Sequence, residues 1–262
     1  MAAGRERKPR DRGKTMTTYN GRVGGANYDP GDLDNSIYGS NLGNDLLYGG
    51  PGDDTINCAR QGDGADNSGR SDTLYVDDGS DQLLGGHGGD RLFGGAGNDT
   101  LYGQNHSDTV SGGAGDDYLV STHSSGHDRM HRGAGNDTLV STNKATAGRD
   151  SMWGGAGDNS YSVNGDLGQV GQVYGSADEG DDTVESDINY TLGSNIENLV
   201  LQSGEGHLTG TGNALANRIT GNEGDNLLSG AAGDDTLSGG AGNDTLSGDS
   251  VADSAGSDTV QA

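Results

Sequence analysis

Aspartates recur every nine residues through the first half of the chain, and this spacing carries the clearest chemical signal in the sequence. An apolar residue follows two positions after each aspartate, from Leu47 at the first to Leu119 at the last. Calcium takes roughly six to eight oxygen ligands in a flexible geometry, and carboxylates with turn carbonyls supply them. The pattern therefore favours calcium over transition metals, which use His or Cys ligands. The aspartates are Asp45, Asp54, Asp63, Asp72, Asp81, Asp90, Asp99, Asp108 and Asp117.

These aspartates belong to a nonapeptide of the form G-G-x-G-x-D-x-U-x, in which U is a large apolar residue. The copy at Gly94–Tyr102 matches every position of this template. A short fixed period is typical of a solenoid, in which each repeat packs on its neighbours. Close copies lie at Gly49–Asn57, Gly85–Phe93, Gly112–Val120 and Gly239–Ser247.

The template predicts one short strand and one turn in each repeat. In Thr100-Leu101-Tyr102 the alternation of a strand sends Leu101 inward and its two neighbours outward. The six residues before the strand form the turn, where glycine permits positive φ and Asp or Asn bonds to nearby backbone. Two strands and two turns make a coil of 18 residues, so the sequence predicts a two-sided parallel β-roll.

The composition indicates a chain whose apolar residues are too few to stabilise a fold by themselves. Gly accounts for 52 of the 262 residues, the net charge is −25, and 34 of the 40 acidic residues are Asp. Leu, Val, Ile and Phe together number only 39 of the 262 residues. This share lies below the roughly 20% under which a highly charged chain is expected to be disordered. The periodicity and the composition agree if a bound cation supplies the missing stabilisation.

Several classes of protein are disfavoured by the sequence. One cysteine, Cys58, excludes an internal disulfide framework. The chain has no apolar run of about 18 residues, so we predict no transmembrane segment. The first residues lack the apolar core of an N-terminal signal peptide.

The chain divides into four predicted regions. Residues 1–22 hold seven Lys or Arg against two acidic residues and are predicted to be a disordered basic tail. A nucleic-acid-binding arm is the alternative for this tail, but seven basic residues without a recognisable binding fold are weak evidence, so we predict no nucleic-acid partner. Residues 23–162 form the first repeat block, 163–211 an irregular β connector, and 212–262 a second block that ends mid-pattern and looks truncated.

The repeats quoted above resemble the RTX (hemolysin-type calcium-binding) repeat family, and the connector segment Tyr190–Leu199 is similar to one found between RTX blocks of bacterial exoproteins. The resemblance implies a right-handed parallel β-roll with several calcium ions in its turns. Each ion would lie between same-side turns of adjacent coils and take backbone carbonyls and two aspartates. The resemblance also implies a secreted bacterial protein, exported by a type I route without an N-terminal signal peptide.

Alternate turns should lie on opposite edges of such a roll. The first edge would carry the turns ending at Asp45, Asp63, Asp81, Asp99, Asp117, Asp137 and Asn159, and the second those ending at Asp54, Asp72, Asp90, Asp108, Asp128 and Asp150. The last four turns of the first edge are near-template, which predicts a row of three calcium ions, with Asp99 and Asp117 forming the best site. The implied ligands are Gly94, Gly95, Gly97, Asp99, Gly112, Gly113, Gly115, Asp117, Gly133, Gly135, Asp137, Gly154, Gly155, Gly157 and Asn159, with Asp45, Asp54, Asp63, Asp72, Asp81, Asp90, Asp235 and Asp244 elsewhere.

Two insertions, at residues 122–125 and 143–147, fall on the second edge, where the template decays. Repeat drift explains them simply. The alternative is a contact surface for polysaccharide or a cell surface, formed by the two long loops with residues such as His127 and Arg129.

Catalytic patterns in the sequence are weak. His123, His127 and His131 have the spacing of zinc ligands on a helix, but Ser124-Ser125-Gly126 disfavours a helix there. We therefore predict a calcium-binding module that is not an enzyme and folds on calcium after export. The alternatives are the noncatalytic repeat part of a secreted hydrolase, protease or epimerase, and an adhesin or matrix protein.

Overall fold

Short strands separated by glycine-rich turns make up the computed structural model, and none of the strands in its described residues exceeds six residues. It describes residues 34–39, 44–58, 71–122, 126–142, 150–165, 172–175, 180–204, 206–249 and 257–261. The predicted basic tail, the turn of Asp63 and most of the two insertions lie outside these ranges.

The described residues contain 23 strands. In chain order the first twelve are β1 (Ser36–Tyr38), β2 (Leu46–Tyr48), β3 (Thr55–Asn57), β4 (Thr73–Tyr75), β5 (Gln82–His87), β6 (Arg91–Ala96), β7 (Thr100–Asn105), β8 (Thr109–Ala114), β9 (Tyr118–Ser121), β10 (Arg129–Ala134), β11 (Thr138–Ser141) and β12 (Ser151–Ala156). They are followed by β13 (Ser160–Val163), β14 (Gln172–Tyr174), β15 (Thr183–Ser186), β16 (Tyr190–Thr191), β17 (Asn198–Leu201), β18 (Thr209–Thr211), β19 (Arg218–Thr220), β20 (Leu227–Ala231), β21 (Thr236–Ser238), β22 (Thr245–Asp249) and β23 (Thr259–Gln261).

Successive strands alternate between two faces, and every pairing within a face is parallel. The odd-numbered strands from β1 to β23 form one 12-stranded sheet. The even-numbered strands form a seven-stranded sheet from β2 to β14 and a four-stranded sheet from β16 to β22. This topology confirms the predicted all-β parallel solenoid.

The core is a thin double row of apolar side chains between the two faces. The middle residue of each three-residue strand unit points inward, and Leu92 and Leu101 on opposite faces are both 0% exposed. One continuous cluster runs from Ile37 to Leu237. Burial of one residue in each short strand is what the alternation of a strand dictates.

One coil near the start is longer than the others, and it corrects the predicted assignment of turns to edges. β2 pairs with β4 so that Leu47 lies beside Leu74, and β3 pairs with β5 so that Ile56 lies beside Leu83. Both offsets are 27 residues, or three repeats, instead of two. An odd number of repeats exchanges the edges, so the predicted edges of Asp45 and Asp54 were wrong.

The predicted connector, residues 163–211, contributes strands to the same solenoid. β15 and β17 pair in register between β13 and β19 of the 12-stranded sheet. On the opposite face the seven-stranded sheet ends at β14 and the four-stranded sheet begins at β16. The irregular sequence therefore coincides with a break in one face only.

Aromatic rings stack along the outside of the seven-stranded sheet. Tyr75 stacks on Phe93 with ring centroids 4.6 Å apart, and His131 stacks on Trp153 with centroids 4.2 Å apart. Tyr48 and Tyr174 extend the two stacks outward at 5.2 Å. Ser111 occupies the register position between Phe93 and His131, so it interrupts an otherwise continuous row.

We expect Ser111→Tyr to stabilise the roll by joining the two stacks. A ring there gains a partner on each side, and an aromatic pair contributes roughly 0.5–1.5 kcal/mol, so the gain should be about 1–3 kcal/mol. Thermal unfolding in calcium measures it. The matched control is Ser162→Tyr, an outward position of the 12-stranded sheet between Val140 and Glu185. Equal changes in melting temperature for both variants would contradict the expectation.

Candidate metal centre

The turns between strands form two edges of the roll, which we name after one aspartate of each. Turns that precede a strand of the 12-stranded sheet make up the Asp99 edge, and turns that precede a strand of the other two sheets make up the Asp108 edge. The Asp99 edge contains Asp54, Asp81, Asp99, Asp117, Asp137, Asn159, Asp182 and Asp235. The Asp108 edge contains Asp45, Asp72, Asp90, Asp108, Asp128, Asp150 and Asp244.

A ladder of hydrogen bonds joins the aspartates of successive coils on each edge. The backbone N–H of Asp81 donates to Oδ1 of Asp99, and that of Asp99 donates to Oδ1 of Asp117, both at 2.9 Å. On the other edge the N–H of Asp90 donates to Oδ1 of Asp108 at 2.7 Å. One oxygen of each carboxylate is therefore committed to holding the next turn in register.

A second ladder runs along the surface of the turns in the opposite direction. It uses the residue that precedes each ladder aspartate: the N–H of Asp116 donates to Oδ1 of Asn98, and the N–H of Asn136 donates to Oδ1 of Asp116. These side chains are exposed, while the ladder aspartates beneath them are buried. Asp and Asn at both positions thus have a backbone-binding role in the turns.

The second oxygen of many buried carboxylates has no hydrogen-bond partner. A buried polar atom without a partner costs roughly 1–3 kcal/mol, and an ionised one costs more. A cation beside each oxygen would remove that cost. The Oδ2 atoms concerned are those of Asp81, Asp90, Asp99, Asp108, Asp117, Asp137 and Asp244.

The first glycine of the template leaves the space beside these oxygens open. A Cβ placed on Gly85 would lie 2.7 Å from Oδ2 of Asp90 and 2.9 Å from the carbonyl oxygen of Gly103. A Cβ on Gly94 would likewise collide with Oδ2 of Asp99 and lie 2.5 Å from the carbonyl oxygen of Gly112. Carboxylate and carbonyl oxygens of neighbouring coils therefore converge on one point.

This donor set fits calcium. Among the residues that the structure describes, no three His, Cys, Asp or Glu side chains converge, so backbone carbonyls must complete any ion site. Calcium accepts carbonyl and carboxylate oxygens together, whereas zinc prefers His and Cys. The predicted ligands Gly94, Asp99, Gly112 and Asp117 are brought together by consecutive coils of one edge.

Serine hydroxyls satisfy the same oxygen at two turns of the Asp108 edge. Ser121 Oγ donates to Oδ2 of Asp128, and Ser141 Oγ donates to Oδ2 of Asp150 at 2.6 Å. These turns carry the two insertions, and the backbone ladder still passes through them. The residues at these two turns therefore fit a cation less well than those at Asp90 and Asp108.

The predicted row of three ions on the Asp99 edge meets two substitutions. Arg132 stands in register with Gly112 and Gly154, where the template has its first glycine, and its side chain is fully buried. A Cβ on Gly154 would collide with the hydroxyl of Tyr161, and Asn159 replaces the template aspartate there. The turns of Asp137 and Asn159 thus differ from those of Asp99 and Asp117.

Sequence reasoning missed Ser121, Ser141 and Tyr161. A signal for the serines was present, because the sequence Leu-Val-Ser-Thr leads into both insertions, at Leu119–Thr122 and Leu139–Thr142. It also missed Asp182, which continues the Asp99 edge by accepting the N–H of Asn159 at 3.0 Å.

Burial raises the pKa of the ladder carboxyls. The pKa of Asp108 is raised to about 9 and that of Asp90 to about 7, in both cases mainly by desolvation, against a lowering by the backbone hydrogen bond that each accepts. The pKa of Asp99 is raised to about 6 for the same reason, with repulsion from Asp117 adding to it. Without a cation, the fold therefore favours protonated aspartates.

Comparison with known protein families agrees with this geometry. A family model described as the RTX calcium-binding nonapeptide repeat (4 copies) matches residues 31–57, 66–101, 84–119, 124–139, 144–166 and 211–246, more than half of the chain. No curated protein and no solved structure matches the chain. Over the described ranges, none of the chain forms a helix that could cross a membrane.

We expect Asp99→Asn to lower the number of calcium ions bound per chain by at least one. The amide keeps an oxygen for the N–H of Asp81 but replaces Oδ2 with an NH₂ group, which cannot bind a cation. The matched control is Asp150→Asn, because Ser141 already occupies Oδ2 there. Equilibrium dialysis with elemental analysis gives both numbers, and equal losses in the two variants would contradict the assignment.

The raised pKa values predict how the stability of the calcium-free fold depends on pH. A carboxyl with a raised pKa in the folded state stabilises the fold fully below its unfolded pKa of about 3.8, and that stabilisation is lost as the pH rises through about 6–9. The β signal of the calcium-free chain in far-UV circular dichroism should therefore be strongest near pH 5 and should be lost as the pH rises towards 9. Asp108→Asn should keep part of that signal at the higher pH values, whereas Asp77→Asn, at an exposed position, should not. A β signal in chelator that grows as the pH rises would refute the expectation.

Proposed function

Because the chain belongs to the RTX calcium-binding nonapeptide repeat family, we propose that it is a calcium-folded β-roll module of a secreted bacterial protein. Its role is to bind several calcium ions and to form an ordered solenoid only where calcium is plentiful. The observation that carries this proposal is the set of buried Oδ2 atoms without a hydrogen-bond partner on both edges of the roll.

Two properties of the chain make its fold depend on a cation. The net charge of −25 opposes compaction, and stacking brings like-charged ladder aspartates of adjacent coils together, as the N–H of Asp99 reaching Asp117 shows. The core between the sheets is only one side chain deep from each face, so hydrophobic burial is limited. When bound, calcium supplies the positive charge that the buried oxygens lack.

The chain's own residues prepare the sites before any ion arrives. The ladder bonds use Oδ1 and turn Oδ2 towards the first glycine, where Gly94 leaves room. Gly97 and Gly115 have φ of 127° and 124°, a conformation that lets the turns stack closely. A site between two turns is complete only when both coils have formed, so binding couples neighbouring coils.

RTX repeats are typical of secreted bacterial proteins. We place this chain outside the cell, after export by a type I route that needs no N-terminal signal peptide. Weak calcium sites with dissociation constants of roughly 10⁻⁴–10⁻³ M are typical of extracellular modules and would be empty in a low-calcium cytosol. The chain would then leave the cell unfolded and fold outside it.

We propose no catalytic step for this chain. The ladder carboxylates bind backbone through Oδ1, and His131, one of the three histidines with zinc-ligand spacing, is stacked on Trp153. The alternative roles are a noncatalytic support within a secreted enzyme and a part of an adhesin. In the second case, the adhesin would bind polysaccharide or a cell surface.

Calcium should convert the chain from a disordered to a β-rich state. Far-UV circular dichroism in chelator at about pH 8 should show a largely unordered chain, and added calcium should produce a cooperative β signal. At a calcium concentration about 100 times its dissociation constant, each site adds about 2.7 kcal/mol. Magnesium at equal concentration is the control, because it demands a tighter octahedral geometry. A chain that is already β-rich in chelator and unaffected by calcium would refute the proposed function.

A further inference from the structure

Arg132 is the one described arginine whose side chain is fully buried, and it lies inside the Asp99 edge. Its position in the repeat is that of the first template glycine, in register with Gly112 on one side and Gly154 on the other. None of its three guanidinium nitrogens has a hydrogen-bond partner. A buried charge of this kind is costly unless charges around it compensate.

Carboxylates surround the guanidinium. Nη1 of Arg132 lies 4.0 Å from Oδ1 of Asp137, and Asp117 and Asp182 both stabilise its charge. Burial lowers the pKa of Arg132 to about 9, against the opposing effects of Tyr161, Asp117 and Asp182, so the side chain remains charged at neutral pH. The guanidinium therefore brings a positive charge to the carboxylates of this turn.

The side chain of Arg132 occupies the space that corresponds to the site of converging oxygens in the template turns. At the equivalent glycines, Gly94 and Gly112, an added Cβ would collide with Oδ2 of the aspartate five residues later. A side chain at position 132 must leave the backbone in the same direction, towards Asp137. It thus fills the space that a cation would use in a template turn.

Tyr161 closes the next position along the same edge. It occupies a core position between Leu139 and Val184, yet its hydroxyl reaches the space beside Gly154. The hydroxyl is buried against the backbone of Gly154, and Arg132 interacts electrostatically with it. Asn159, which is neutral, stands where the template has an aspartate, so this turn also needs less positive charge.

We propose that Arg132 replaces a calcium ion in the Asp99 edge and that Tyr161 closes the adjacent position, so the row of cation sites is split by a segment neutralised by the chain itself. This inference rests on the proposed function, since it concerns which of the family's sites this chain keeps. Turns from Asp81 to Asp117 retain calcium, whereas those of Asp137 and Asn159 hold together without it.

The test is the number of calcium ions bound per chain, measured on the full chain by equilibrium dialysis and elemental analysis. Arg132→Gly restores the template and should bind one ion more than the wild type. Arg132→Met removes the charge but fills the space, so it should bind the wild-type number. The triple variant R132G/N159D/Y161L restores both turns and should bind two more. A folded Arg132→Gly chain with the wild-type number of ions would overturn the inference.

The reverse substitution decides the question if Arg132→Gly fails to fold in calcium. Gly94→Arg places an arginine in a template turn and should reduce the number of bound ions by one, while making the melting temperature less dependent on calcium. An unchanged ion number in Gly94→Arg would overturn the inference. A wild-type chain that binds no calcium at all would instead refute the proposed function, so the two failures are distinguishable.

Discussion

The buried aspartate of each turn is the constraint on which the rest of the structure depends. Parallel strands lie roughly 4.7–4.9 Å apart, so stacking coils necessarily stacks their turns. One carboxylate oxygen then accepts the N–H of the preceding turn, as Asp117 does from Asp99, and the other is enclosed with nothing to bind. The same contact that sets the register of the coils also creates a negative charge that must be neutralised.

The thin core explains why, under the proposed function, neutralisation of these carboxylates would decide whether the chain folds. Each strand unit buries one side chain, such as Leu101, and its outward neighbours are mostly Thr, Ser or charged residues. Stability is the small difference between large opposing terms, and here the favourable hydrophobic term is small while the repulsive one is large. The proposed function therefore requires that neutralising the two edges makes the free energy of folding favourable.

The repeating part of this structure could be predicted from the sequence because the strands, the turns and the inward side chains all depend on the nonapeptide alone. Leu92 and Leu101 are inward and Gly94 faces Asp99 for reasons that lie within one repeat and its neighbour. Edge assignment failed at Asp45 and Asp54 because it depends on how many repeats separate paired strands, and the register places three repeats there. Counting repeats from the sequence cannot reveal such a coil.

The remaining differences arise where one side chain changes how Oδ2 is satisfied. Along the two edges Oδ2 meets an open glycine at Asp99 and a serine hydroxyl at Asp128 and Asp150, whereas at Asp137 a guanidinium lies near Oδ1 of the carboxylate. These arrangements differ in whether the carboxylate needs a cation from solution, since only the open glycine leaves a site for one. The repeat thus fixes the shape of the roll, while single positions such as 121, 132 and 141 decide which groups surround each ladder carboxylate. Under the proposed function, the coils around Arg132 hold together through their own side chains, and the coils before them hold together through bound calcium.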